Sequence, residues 1–213
     1  MEGEDNKQSS EKKDDSTEAL TDFLEIIKVF PLYGQCELLQ LINGLRPVAQ
    51  VAVMPEYEET MLPAIERLKG LGLRAVSYKR PAGKAGEITE FFISKDLSLA
   101  EQALASQNDS KRFGELMGYP ASSVEEFISN KDYLSDDELT DLIGFENHFF
   151  NLKFSKSHSE DALEYLRKSY KVLLEQAPYL LEEGLPLHLD KKNYISKVAE
   201  FVYRNEKPEK LES

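Results

Sequence analysis

Apolar positions along the chain change their period twice. From Ser16 or Thr17, a fair N-cap, Leu20, Phe23, Leu24, Ile27 and Phe30 recur at helical spacing. Pro31, which cannot donate a backbone hydrogen bond, ends that helix. A second short helix is predicted through Cys36, Leu38, Leu39 and Ile42, stopping near Gly44. The pattern then becomes a nearly continuous apolar run, Pro47 to Met54, which reads as a strand covered on both faces. Pro55 to Glu59 opens a helix with acids in its first turn, where the helix dipole favours them. Met61, Leu62, Ile65 and Leu68 form its stripe and Gly70 its stop. Leu73 to Tyr78 and Glu87 to Ser94 read as two further strands. The first completes a βαβ unit with parallel strands, and the second forms an antiparallel hairpin across Lys79 to Gly86.

From Leu97 onward helical spacing returns. Short helices are predicted at Ser98 to Ala105, Ser110 to Met117, Ser122 to Asn130 and Ser135 to Ile143. A fourth strand is predicted between Phe145 and Phe154. The longest helix starts after a Ser159 cap, and a last one spans about Lys191 to Tyr203. The expected fold is α+β or α/β: a small mixed sheet of three to four strands with one βαβ unit, and a helix-rich C-terminal half. Residues 1–16 read as a disordered acidic tail, 17–205 as a single α/β domain and 206–213 as a frayed C-terminus.

Charge narrows the partners. The 213 residues carry 26 Lys and Arg against 39 Asp and Glu, a net charge of −13. So acidic a chain repels phosphate backbones and anionic lipid, so neither nucleic acid nor a membrane surface is an expected partner. The N-terminus lacks a signal-peptide pattern, and no apolar run approaches the length of a membrane span. The single cysteine, Cys36, permits no intrachain disulfide and reads as a small buried hydrophobe. A reducing cytoplasm is the expected compartment.

Candidate chemistry concentrates in two places. Lys79, Arg80 and Lys84 are set among Gly83 and Gly86 on the predicted hairpin tip, a cationic spot where backbone amides can approach an anion. Neither a Walker A loop nor a dinucleotide fingerprint matches it. The bland reading is a solvated tip. The second place is Arg112 to Ser123. Gly118 can end one helix, Tyr119-Pro120 forces an extended turn, and Ser122 or Ser123 caps the next. Both registers complete a capping box, Ser122 with Glu125 and Ser123 with Glu126. The sharper reading adds an anion held at that helix start by Arg112, Tyr119, Ser122 and Ser123.

The run Gly114-Glu-Leu-Met-Gly118-Tyr119-Pro120, followed by Val124, Glu125 and Phe127, resembles an archaeal family known as domain of unknown function 483. Gly44-Leu-Arg-Pro47-Val-Ala49 is similar to the same family. The resemblance spans roughly residues 30 to 205. It implies a fold and a provenance rather than an activity. Where family members carry paired cysteines this chain has Ser122 and Ser123, and Pro186 to Asp190 lacks the later cysteine. No thiolate-based metal or redox role therefore carries over.

The acids Asp136, Asp137, Glu138, Asp141 and Glu146 with His148 are crowded, but they miss metal-ligand spacing, and Ser135 with Glu138 explains them as a capping box. His148, His158 and His188 are isolated, and no nucleophile elbow is present. Two function classes remain. One is a non-catalytic binding or interaction module, meeting a small anionic ligand or a protein partner. The other is an enzyme acting on a small phosphate- or carboxylate-bearing metabolite. Cofactor and oligomeric state are not encoded in any motif found.

Overall fold

The computed structural model describes residues 17–81, 83, 86–129, 133–150, 154, 156 and 160–204. Helix α1 covers residues 17–27, and α2 runs Leu32–Ile42 beyond the Pro31 break. Gly44, at φ +70°, turns the chain into β1 (Val48–Val53). A single 3-10 turn, Pro55–Tyr57, leads into α3 (Glu58–Gly70), followed by β2 (Arg74–Pro81) and β3 (Glu87–Ser94). The later regular elements are helices: α4 (Leu97–Ala105), α5 (Ser110–Leu116), α6 (Ala121–Ser129), α7 (Asp136–Ile143), α8 (Glu160–Gln176), α9 (Pro178–Glu183) and α10 (Lys191–Tyr203). No helix among the described residues is long and apolar enough to cross a membrane.

The fold is α+β, with strand order β1-β3-β2 and antiparallel neighbours throughout. β1 and β2 therefore run in the same direction, joined through α3 as expected, but they are not adjacent. The hairpin decides this. β3 folds back on β2, pairing Glu87 with Pro81, and its other edge takes β1, pairing Thr89 with Val53. The latecomer thus becomes the central strand and is buried at every position after Glu87.

Alternation along the strands divides the core. Ala49, Val51, Val53, Phe91 and Ile93 face a large cluster formed with α1, α2, α3 and the C-terminal helices. Val48 and Phe92 face a smaller cluster under α4 and α5, with Ala100, Ala103, Leu116 and Met117.

The predicted fourth strand needs correction. Residues 145–150 do not form a strand; residues 151–153 lie outside the described set. The Asn147 side chain closes a local turn instead, donating to the Phe150 carbonyl and accepting from the Phe150 amide. That turn lets Phe145, Phe149 and Phe150 all meet the Tyr170 ring near edge-on. Pro178 follows α8 and opens α9, in whose first turn its missing N–H is no loss. The acidic leader 1–16, the Ser159 cap and residues 205–213 lie outside the described residues.

Candidate functional site

The basic hairpin divides differently from its sequence reading. Lys79 and Arg80 are strand residues, opposite Thr89 and Ile88, rather than tip residues. Each has an acidic partner. Lys79 lies 3.1 Å from Glu87, and Arg80 Nε donates to Glu90 at 2.5 Å. Glu90, 4 % exposed, also accepts from Tyr78 and Gln50, so Arg80 completes a polar hub on the α4 side of the sheet. Gly83 and Gly86 have positive φ, +57° and +82°, as a tight tip requires. Lys84 lies outside the described residues.

The helix start at Ser122 already has its anion. Ser122 and Ser123 lie inside α6, so neither capping box forms; Pro120 supplies the first accepting carbonyl, to Val124. Asp161 of α8 accepts from both the Ser122 amide (3.1 Å) and the Ser122 hydroxyl. Burial alone would raise the Asp161 carboxyl; these hydrogen bonds, with that from the Ala162 amide, hold it below its ordinary value. The cap is tertiary and its donors are occupied. Arg112 is engaged with Gln102 at 2.8 Å and lies 3.5 Å from Glu115. The Ser123 hydroxyl is buried and has no partner among the described residues. No hydrogen bond or ion pair among the described residues joins the basic hairpin to this helix start.

Tyr119 leads elsewhere. The two stretches that carry the family resemblance meet in space. A Cβ on Gly118, which sits at φ +74°, would lie 2.7 Å from Pro47 and 2.8 Å from the Arg46 backbone. Arg46 Nε donates to the Met117 carbonyl at 3.2 Å, and its guanidinium carbon lies 5.6 Å from the centre of the Tyr119 ring. Gly114 permits a similar approach of α5 to Val124 on α6.

Arg46 is 3 % exposed and pairs with equally buried Glu37 of α2, Nη1 to Oε1 at 2.7 Å. The other Glu37 oxygen accepts from the Gln50 amide of β1. The ion pair is close but poorly aligned as a hydrogen bond, and Arg46 Nη2 has no acceptor among the described residues. A buried N–H without an acceptor costs about 1–3 kcal/mol, more when charged, so this position is not neutral packing.

Arg46 and Glu37 line a narrow recess with Cys36, Gln40, Tyr33, Tyr119, Tyr165, Phe149 and Phe150. Its narrow interior has room for about one water molecule. Burial first and the Glu37 charge second raise the Tyr33 phenol. Burial raises Tyr165, against the opposing pull of Arg46. Burial, then Glu37, pushes the Cys36 thiol up to about 12. For Arg46, burial pulls down, but Glu37 and the surrounding tyrosines outweigh it and hold the guanidinium charged.

Tyr33, Phe149 and Phe150 also line a second, larger groove of about 390 Å³, with Asp136, Asp137, Leu139, Thr140, Glu146, Asn147 and His148. These three side chains form the wall shared by recess and groove. His148 lies 3.1 Å from Glu146. Glu138 turns away into its capping box with Ser135, and the Ser135 amide, with Lys156, holds its carboxyl at about 2. Among the described residues, no three His, Cys, Asp or Glu side chains are placed to share a metal ion.

Sequence reasoning reached Tyr119 but missed Glu37, Arg46, Tyr33, Gln40 and Tyr165. A signal existed for the pair: Glu37 is the one charged residue in the helix Leu32–Ile42, and Arg46 borders the apolar strand. Compared with protein-family models, curated proteins and solved structures, the chain matches none.

Proposed function

We propose that the protein is a cytosolic, non-catalytic binding module whose site is the Arg46 recess and the groove that shares its wall. The observation that carries this reading is Arg46 Nη2, a charged donor buried without an acceptor. A ligand oxygen, a carboxylate above all, supplies what the fold leaves unmet, and the hydroxyls of Tyr33, Tyr119 and Tyr165 stand beside it as further donors. The groove has the size of an ordinary small-molecule site.

Binding is favoured over catalysis because no nucleophile–base motif or metal signature stands out in the sequence. Kinship with the archaeal family remains part of the proposal: Tyr119 of its motif lines the recess beside Arg46, and Gly118 lets the Arg46 and Pro47 backbone approach it. The anion-binding expectation thereby moves from the hairpin to Arg46.

A thermal-shift titration with short carboxylic acids and amino acids, at fixed ionic strength, tests the reading. A true ligand at 100 times its Kd raises stability by about 2.7 kcal/mol. The wild type should shift with at least one of these acids, and Arg46→Lys, which keeps the charge but loses the fork, should not. A melting temperature unmoved across the whole panel overturns the proposal.

A further inference from the structure

We infer that the ligand of this site is a small amino-carboxylate, one molecule carrying a carboxylate for Arg46 and a cationic group for the groove. The inference rests on the preceding reading of the recess and adds the second half of the ligand. Recess and groove share the wall of Tyr33, Phe149 and Phe150. On the groove side the charged lining is Asp136, Asp137 and Glu146, with His148 and neither Lys nor Arg. Asp136 and Asp137 have no cationic partner among the described residues, while the other first-turn acid, Glu138, pairs with Lys156. A plain carboxylate would approach Arg46 past these acids, on a molecule of net charge −13, and would add an uncompensated negative charge beside Glu37. A cationic group on the same ligand reverses the sign of that interaction. Phe149 and Phe150 offer apolar surface for the methylenes between the two ends, and aromatic faces attract a cation.

Tyr33 sits between the two spaces. It lies on the first turn of α2, 45 % exposed, and its hydroxyl is 3.5 Å from that of Tyr119, longer than an ordinary O–H···O bond. The recess behind it has room for about one water, so Tyr33 is the wall residue that an entering carboxylate would displace.

The test compares three probes of equal chain length on the full chain by calorimetry: ε-aminocaproate, caproate and hexylamine. The expected result is that ε-aminocaproate binds at least about tenfold more tightly than either single-ended probe, since a charge-assisted contact is worth about 1.5–3 kcal/mol and each 1.4 kcal/mol is tenfold. The double substitution Asp136→Asn with Asp137→Asn should abolish that advantage while leaving caproate binding in place. It leaves the Ser135–Glu138 cap untouched, so it keeps the test valid if Arg46→Lys fails to fold. If caproate binds as tightly as ε-aminocaproate, or the double variant keeps the preference, the inference is overturned and the carboxylate site stands. If hexylamine binds as tightly as ε-aminocaproate, both the inference and the Arg46 reading are overturned; if none of the three binds, the inference is overturned and the wider acid panel decides the Arg46 reading.

Discussion

Arg46 shows how one buried charge organises its surroundings. Its guanidinium ties α2 through Glu37, the end of α5 through Met117, and the Tyr119 ring below it. Removing one partner strands the other as a buried, unpaired charge, so Arg46→Ala should destabilise the fold by about 3–5 kcal/mol. Replacing the pair together, Arg46→Met with Glu37→Gln, should recover most of that loss, because neither charge then needs burial. Urea unfolding of the two variants beside the wild type measures this directly. If the single and double variants are equally unstable, the pair is not the unit described. The pair was legible only as two charges in apolar company. Nothing in their spacing says that a turn at Gly44 brings them together, nor that Tyr119 arrives from more than seventy residues away.

At the scale of elements, local signals placed the helices well and their caps unevenly. α7 carries its own start signal, the reciprocal Ser135–Glu138 box, and forms where the spacing predicts. α10 likewise begins at Asp190, which accepts from the Asn193 amide. α6 has equally good local candidates in Ser122 and Ser123 and uses neither as its cap, because Asp161 reaches across from α8. Tertiary packing supplied an acceptor already held in place, and the serines entered the helix. Asp161→Ala should therefore destabilise the protein by about 1 kcal/mol, the usual worth of a helix cap. Ser122→Ala should cost less, since the backbone bond from its amide survives. Amide hydrogen exchange at Ser122 provides the check: faster exchange in Asp161→Ala is expected, and unchanged protection would refute the tertiary cap. The sheet follows the same logic. Each strand was visible by its apolar run, but the placement of β3 between β1 and β2 is set by pairing between strands distant in the chain.

For the whole molecule, acidity and buried phenols set the response to pH. Burial raises Tyr179 and Tyr194 to about 12 and Tyr170 well above its ordinary 10.0, and raises Cys36 from 9.0 to about 12. In the unfolded chain these groups ionise at their ordinary values, so the unfolded state sheds protons first as pH rises. Their contribution to stability is complete below pH 9 and is lost through about 12. The self-repulsion of a chain at −13 grows over the same range. The urea midpoint should therefore fall steadily above about pH 9, and Cys36→Ala should soften the first part of that fall. A midpoint independent of pH up to about 11 would contradict the burial of these side chains.

Apolar periodicity, proline and glycine stops, and helix-start chemistry by themselves determined the order and kind of most elements, because those signals act between residues a few positions apart. The acidity and the buried cysteine belong to the same class. The sheet order, the Asp161 cap, the pairing of Lys79 and Arg80, and the recess at Arg46 were decided only in three dimensions. Each depends on a group distant in the chain arriving at a distance of a few ångströms. Charge and hydrogen bonding act over that range, whereas sequence spacing records only neighbours along the chain.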